Sequence, residues 1–225
     1  MGIDGTPFVP DDTTVFYFVR HGETEHNRQG IVQGGGIDSV LNDAGRAQAQ
    51  ALAQRLGPVG IDTLYASTLQ RAKQTAKLLA PPHEPLSRTY LRDLNEMNWG
   101  VFEGKPPSAE RDASMEDVKS AWRDGAYDRA IEGGESIRDV QARAQRAIRH
   151  IAAREEGRTA LVVTHGRYLR VLLATLLDGY GLEHMQELGH SNTCVNRVVC
   201  TGDRFRADLL NCTAHLSSAG DAAQA

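Results

Sequence analysis

The stretch Thr14-Val-Phe-Tyr-Phe-Val19 runs directly into Arg20-His21-Gly22-Glu23-Thr24, and its reading decides the fold. An unbroken run of aromatic and β-branched residues leaves no polar face. It reads as a strand buried on both sides, as in the interior of a parallel sheet. Thr159-Ala-Leu-Val-Val163 has the same character and ends in Thr164-His165-Gly166. Between them the period changes. Behind Asn42 or Asp43 as a cap, Ala47, Ala51, Leu52 and Leu56 recur at helical spacing. Asp62–Ala66 reads as a short strand, and Thr68–Leu79 as a helix stopped by Pro81-Pro82. Leu94–Gly134 reads as irregular and carries Trp99, Phe102, Trp122 and Tyr127. Ser136–Arg154 is the clearest helix, with Ile137, Val140, Ala144, Ala147 and Ile151 on one face. A further helix runs from about Gly166 to Leu177, and Val195–Cys200 with Arg204–Leu209 forms a last β pair. Strands alternating with helices predict an α/β fold, a three-layer sandwich whose mostly parallel central sheet is flanked by helices.

The chain has 225 residues, enough for one large domain or one domain with an inserted cap. We expect an N-terminal tail over 1–12, one catalytic domain over 13–212 with a small cap insertion over about 100–135, and a flexible C-terminal tail over 213–225. Apolar residues make up 40% and charged residues 24%, which excludes a mostly disordered chain. The net charge of −4 argues against a general nucleic-acid or anionic-membrane binder, since those carry a basic excess. No run approaches the roughly 20 apolar residues of a membrane helix. Met1–Asp12 has neither the basic nor the apolar segment of a secretory signal. Cys194, Cys200 and Cys212 are odd in number and form no C-x-x-C pair, so they read as small hydrophobes in a reducing cytoplasm.

The chemistry gathers where the two apolar strands end. Ligands of parallel α/β sheets bind beyond the carboxyl ends of strands, and each strand delivers a histidine there. The glycine after each histidine permits a tight turn and the approach of a ligand. Arg20 precedes His21, Asn27 follows in a Gly-rich loop, and Arg71 lies in the first turn of its helix. Two arginines, a second histidine (His165) and an amide would give a phosphate dianion several charge-assisted hydrogen bonds. The same positive charges would keep His21 neutral, and only the neutral ring is a nucleophile. Glu96, in Leu94-Asn-Glu-Met-Asn-Trp-Gly100, is the candidate acid. A phosphate dianion beside it favours the protonated form, which then serves the leaving alkoxide.

These residues resemble the histidine phosphatase superfamily, the phosphoglycerate-mutase-like proteins. Arg20-His21-Gly22-Glu23-Thr24 carries most of the resemblance. It continues through Asn27, Gln33-Gly34, Leu41, Gly45, Gln48-Ala49, Ser67-x-Leu-x-Arg71-Ala72-x-Gln-Thr75, Leu94-x-Glu96, Gly133-Gly-Glu-Ser136, Val163-Thr-His165-Gly166 and Asn192. The resemblance implies a phosphorylated nucleophile at His21, a proton donor at Glu96, and phosphate binding by Arg20, Asn27, Arg71 and His165, with His165 also counted as catalytic. It implies no cofactor and no metal. Gln33 and Gly34 become candidate substrate-loop residues. The chain departs from the family there, because Gln33-Gly-Gly-Gly-Ile-Asp38 has one extra residue and Val40 and Asn42 replace the usual Pro and Thr.

The implied activity is a histidine acid phosphatase-type phosphoric monoester hydrolase, acting on a small phosphorylated metabolite through a phosphohistidine. Gly133-Gly-Glu-Ser136 and Gly100-Val-Phe-Glu-Gly104 resemble the phosphatase branch. A cofactor-dependent phosphoglycerate mutase is the alternative. A metallohydrolase is disfavoured by the lack of ligand spacing and by arginines that repel a cation. A non-catalytic phosphoprotein-binding relative is disfavoured because both nucleophile and acid are present.

Overall fold

A computed structural model of the chain describes residues 13–221. The expected tail over 1–12, and positions 222–225, lie outside the described residues. The strands are β1 (Thr13–Arg20), β2 (Thr63–Ser67), β3 (Ser87–Leu91), β4 (Thr159–Thr164), β5 (Val195–Thr201) and β6 (Arg204–Cys212). They form a sheet of order β3-β2-β4-β1-β5-β6. β1, β2, β3 and β4 pair in parallel, while β5 and β6 close one edge antiparallel. The α-helices are α1 (Glu25–Arg28), α2 (Asp43–Leu56), α3 (Gln70–Leu79), α4 (Ala109–Arg123), α5 (Ile137–Arg154), α6 (Gly166–Leu176) and α7 (Ala214–Asp221).

Strand alternation divides the core into two layers. On one face Phe16, Phe18, Ala160 and Val162 pack with α5 and α6 through Val140, Ile148, Ile151, Leu169 and Leu172. On the other face Val19, Leu161, Val163, Leu64 and Ala66 pack with α2 and α3 through Leu52, Leu56, Ala72 and Leu79. Both faces of the central strands are dry, as their unbroken apolar runs require. α5 begins at a capping box: Ser136 accepts the Asp139 amide at 3.1 Å, and the Asp139 carboxylate accepts the Ser136 amide at 2.9 Å. α2 starts where the sequence places it, with Asn42 accepting the Gly45 amide at 2.8 Å.

Three expectations need correction. The stretch read as irregular contains α4, capped by Ser108 and burying Arg111, Met115, Val118 and Trp122. β3 is a strand that the sequence reading left out; it is the sheet's edge and mostly exposed, so it lacks an apolar signature. The supposed flexible tail over 213–225 begins with α7, which seats His215 in a buried position. Cys194 and Cys200 are buried, but Cys212 is half-buried and its Sγ accepts a hydrogen bond from Arg55 at 3.2 Å.

The parallel pairing sets the register of the site. Arg20 at the end of β1 lies beside Thr164 at the end of β4. The next residues, His21 and His165, therefore emerge side by side, and the His21 amide donates to the Thr164 carbonyl at 3.0 Å.

Candidate active site

The His21 and His165 rings stand 5.1 Å apart, centre to centre. Both are buried. His21 Nδ1 lies 2.7 Å from the Gly22 carbonyl, which can only accept, so Nδ1 carries the proton and Nε2 holds the lone pair. The turn that supplies this carbonyl is held tightly. The Gly22 amide donates to Thr75 Oγ1 at 3.0 Å, and a Cβ on Gly22 would sit 2.4 Å from the Gly45 carbonyl oxygen. Burial first, then Arg71 and Arg20, pushes the His21 pKa well below 6.5. The sequence reading named only the like charges; burial is the larger cause.

His165 is bound at both nitrogens. Arg71 Nε donates to Nδ1 at 3.2 Å, which leaves the ring proton on Nε2, 2.7 Å from Ser67 Oγ. Ser67, at the end of β2, donates onward to Asn95 Oδ1 at 2.8 Å. Burial and the neighbouring Arg71 also push the His165 pKa well below 6.5.

Arg71 is fully buried. Its Nη1 donates to the Ile37 carbonyl at 2.7 Å and its Nη2 to the Gly34 carbonyl at 3.1 Å. The glycine loop thus wraps the guanidinium. Glu103 clamps that loop by accepting the Gly36 amide at 2.8 Å and the Trp99 amide at 2.9 Å. Only glycine fits at position 34, where a Cβ would fall 2.6 Å from the Met97 carbonyl oxygen and would also displace the Glu103 carboxylate. Gln33 turns inward: its Nε2 donates to Thr24 Oγ1 at 2.7 Å and its Oε1 accepts from Ser39 at 2.5 Å.

Arg20 donates from Nη1 to the His190 carbonyl at 2.5 Å, while its buried Nε has no partner. Asn27 commits its Oδ1 to the Thr24 amide at 3.2 Å and to the Asn192 Nδ2 at 3.3 Å. Its own Nδ2 is then the side of the amide left for a ligand. Glu96 is buried against the start of α6. Its Oε1 accepts the Tyr168 amide at 2.9 Å and its Oε2 the Arg167 amide at 3.1 Å. Glu135, ahead of α5, forms a two-point pair with Arg143 at 2.8 and 3.0 Å and accepts the Asn98 amide at 2.8 Å. It braces the loop that carries Glu96. A polar cleft of about 550 Å³ opens on the outer side of Glu96, lined by Asp38, Thr68, Asn95, Asn98, Glu135 and Arg143 among others.

The structure therefore brings His21, His165, Arg71, Arg20 and Glu96 to one place, at the carboxyl ends of β1, β2 and β4. Sequence reasoning gave no role to Ser67, Asn95 and Glu103. Ser67 lay within the recognised Ser67-to-Thr75 pattern, but a serine at a strand end carries no signal of its own. Among the described residues, no cluster of His, Cys, Asp and Glu side chains is arranged to hold a metal ion. No described helix is long and apolar enough to cross a membrane.

An α/β sandwich that gathers two histidines and two arginines at the carboxyl ends of parallel strands defines a class of anion-binding sites. Within it, this chain belongs to the histidine phosphatase superfamily, branch 1, whose sequence model matches residues 16–213. A metal-independent phosphoserine phosphatase of Arabidopsis thaliana is 33% identical over 219 residues, covering 94% of this chain and 87% of that protein. A phosphoglycerate mutase-like protein of the same plant is 32% identical over 204 residues, covering 90% and 86%. Among solved structures, the mycobacterial glucosyl-3-phosphoglycerate phosphatase superposes with a TM-score of 0.77 at 29% identity, covering 88% of this chain and 99% of that one.

Proposed function

We propose that this protein hydrolyses small phosphomonoesters through a phosphohistidine at His21. The observation that carries the proposal is the 2.7 Å bond from Nδ1 to the Gly22 carbonyl, which aims an unprotonated Nε2 out of a ring kept neutral. Arg20, Arg71, His165 and the Asn27 amide hold the phosphoryl oxygens and spread their charge in the transition state. The Nε2 lone pair forms the P–N bond as the ester P–O bond breaks, and protonated Glu96 gives its proton to the leaving oxygen. Glu96 then takes a proton from water, whose oxygen attacks phosphorus. The P–N bond breaks, its electron pair returns to Nε2, and phosphate leaves.

Alkaline quenching after mixing with a ³²P-labelled phosphomonoester should trap an acid-labile, alkali-stable label on His21. A fully active enzyme that never carries this label would sink the mechanism. The likeness to a phosphoglycerate mutase-like protein favours a second reading, in which a sugar-acid hydroxyl replaces water as acceptor. Phosphoglycerate isomerisation outpacing phosphate release would establish it. Among the described residues the cysteines are free, which supports the cytoplasm as compartment.

A further inference from the structure

The loop over residues 190–194, which leads into β5, grips the end of β1 from outside the site. Arg20 Nη1 donates to the His190 carbonyl at 2.5 Å, and Asn192 Nδ2 donates to the His21 carbonyl at 3.1 Å. The Thr193 amide is shared between the Arg20 and His21 carbonyls at 3.1 and 3.3 Å. Thr193 does this in a conformation that its side chain disfavours. It is fully buried with a φ of 54°, and among the described residues the other non-glycine in that region is Asn211, at 46°. Asparagine visits the left-handed region readily, whereas a β-branched residue stays there only when its surroundings hold it. Asn211 supports the same loop, its Oδ1 accepting the Ser191 amide at 2.9 Å.

Thr193 is held by a chain of hydrogen bonds that runs in one direction. Arg55, on α2, places Nη1 3.5 Å from His215 Nδ1; a guanidinium only donates, so Nδ1 holds the lone pair and Nε2 the proton. His215 is buried, and burial followed by the Arg55 charge lowers its pKa to about 4, which keeps the ring neutral. Nε2 lies 2.9 Å from Thr193 Oγ1 and donates to it. The hydroxyl's own proton goes to the Asn192 carbonyl at 2.8 Å. Asn192 Nδ2 then reaches the His21 carbonyl and, at 3.3 Å, Asn27 Oδ1. An arginine, an imidazole and a hydroxyl in this order also surround His165, where Arg71 donates to Nδ1 and Nε2 faces Ser67 Oγ. The first chain ends at the backbone of the nucleophile, the second inside the site itself.

We propose that His215 and Thr193 are positioning residues for the nucleophile: the ring on α7 holds Thr193 in its left-handed turn, and that turn holds the Arg20 and His21 carbonyls where the His21 ring meets the phosphoryl group. Neither residue touches substrate. Without the Nε2 donor the buried Thr193 hydroxyl loses a partner, and the backbone relaxes out of the disfavoured region. Its amide then withdraws from both carbonyls, and Asn192 shifts from Asn27. Small misplacements of this kind slow an oriented reaction severely. This inference rests on the phosphatase reading and names residues that align its nucleophile.

Turnover of p-nitrophenyl phosphate and calorimetric binding of inorganic phosphate test it together. His215→Leu should lower kcat/KM by about tenfold or more. His215→Gln, whose amide reaches the same hydroxyl, should recover most of that loss. A histidine that merely fills buried space would give the reverse order, with Leu the better replacement, and that order overturns the inference. Thr193→Val keeps the volume and removes the hydroxyl; it should match His215→Leu, and the double variant should be no worse than either by more than about twofold. Losses that multiply in the double variant overturn the inference. Should His215→Leu fail to fold, Thr193→Val alone decides. Phosphate affinity should weaken about three- to tenfold in His215→Leu and in Thr193→Val, through the displaced Arg20 and Asn27. A wild type that shows this dependence on His215 yet turns over no phosphomonoester overturns the phosphatase reading alone. Turnover and phosphate affinity that both survive the substitutions overturn the positioning role alone.

Discussion

His21 and His165 leave neighbouring parallel strands by the same route, each followed by glycine, yet the surrounding chain treats them differently. His21 is tied at one nitrogen, to a backbone carbonyl, and its other nitrogen keeps a lone pair. His165 is tied at both, to Arg71 on one side and Ser67 on the other. The lesson is that nucleophile and positioning group can share a sequence signature and differ in what their neighbours donate. Arg71 can only donate, so its contact fixes the His165 tautomer; the Gly22 carbonyl can only accept, so it fixes the opposite one at His21.

Removing the nucleophile breaks this comparison most severely. His21→Ala should lower kcat by about 10⁴-fold or more and abolish labelling, whereas His165→Ala should cost about 10²–10³-fold and still label slowly. Comparable residual rates and labelling in the two variants would erase the distinction. Glu96→Gln should slow alkyl phosphates by about 10²–10⁴-fold and p-nitrophenyl phosphate far less, because the latter's leaving group needs no proton. An equal loss on both substrates would remove Glu96 from the acid role.

Stability against pH examines what the two rings share. Both titrate well below 6.5 when folded and near 6.5 when unfolded. Between those values the unfolded chain binds more protons. Stability should therefore be flat above about pH 6.5 and fall as pH drops below it, by up to about 1.4 kcal/mol per unit for each ring. Urea midpoints that stay constant from pH 7 to pH 5 would contradict this; the expectation is weakened in step when either ring is replaced by Gln. The smallest effect is expected at Ser67. Ser67→Ala strands the His165 Nε2 proton, and a loss of about three- to tenfold in kcat/KM should follow.

How much of this was legible in the sequence depended on burial. The central strands announced themselves because both faces are dry, and their register then delivered the histidine pair. β3 escaped because an exposed edge strand has no apolar pattern to read. α4 escaped because Arg111 occupies one of its four inward positions, so that Met115, Val118 and Trp122 looked too sparse for a helix. Arg20, Arg71 and Glu96 were found as part of an ordered set of motifs. The clamp at Glu103 depends on a loop conformation that spacing does not encode.

The C-terminal helix has a practical consequence. His215 on α7 lies 2.9 Å from Thr193 Oγ1, and the Thr193 amide reaches back to the carbonyls of Arg20 and His21 at 3.1 and 3.3 Å. A purification tag or fusion partner added after Ala225 would hang from a segment two contacts away from the nucleophile. Immobilisation for turnover measurements is better made through the exposed edge at β3, which carries neither histidine.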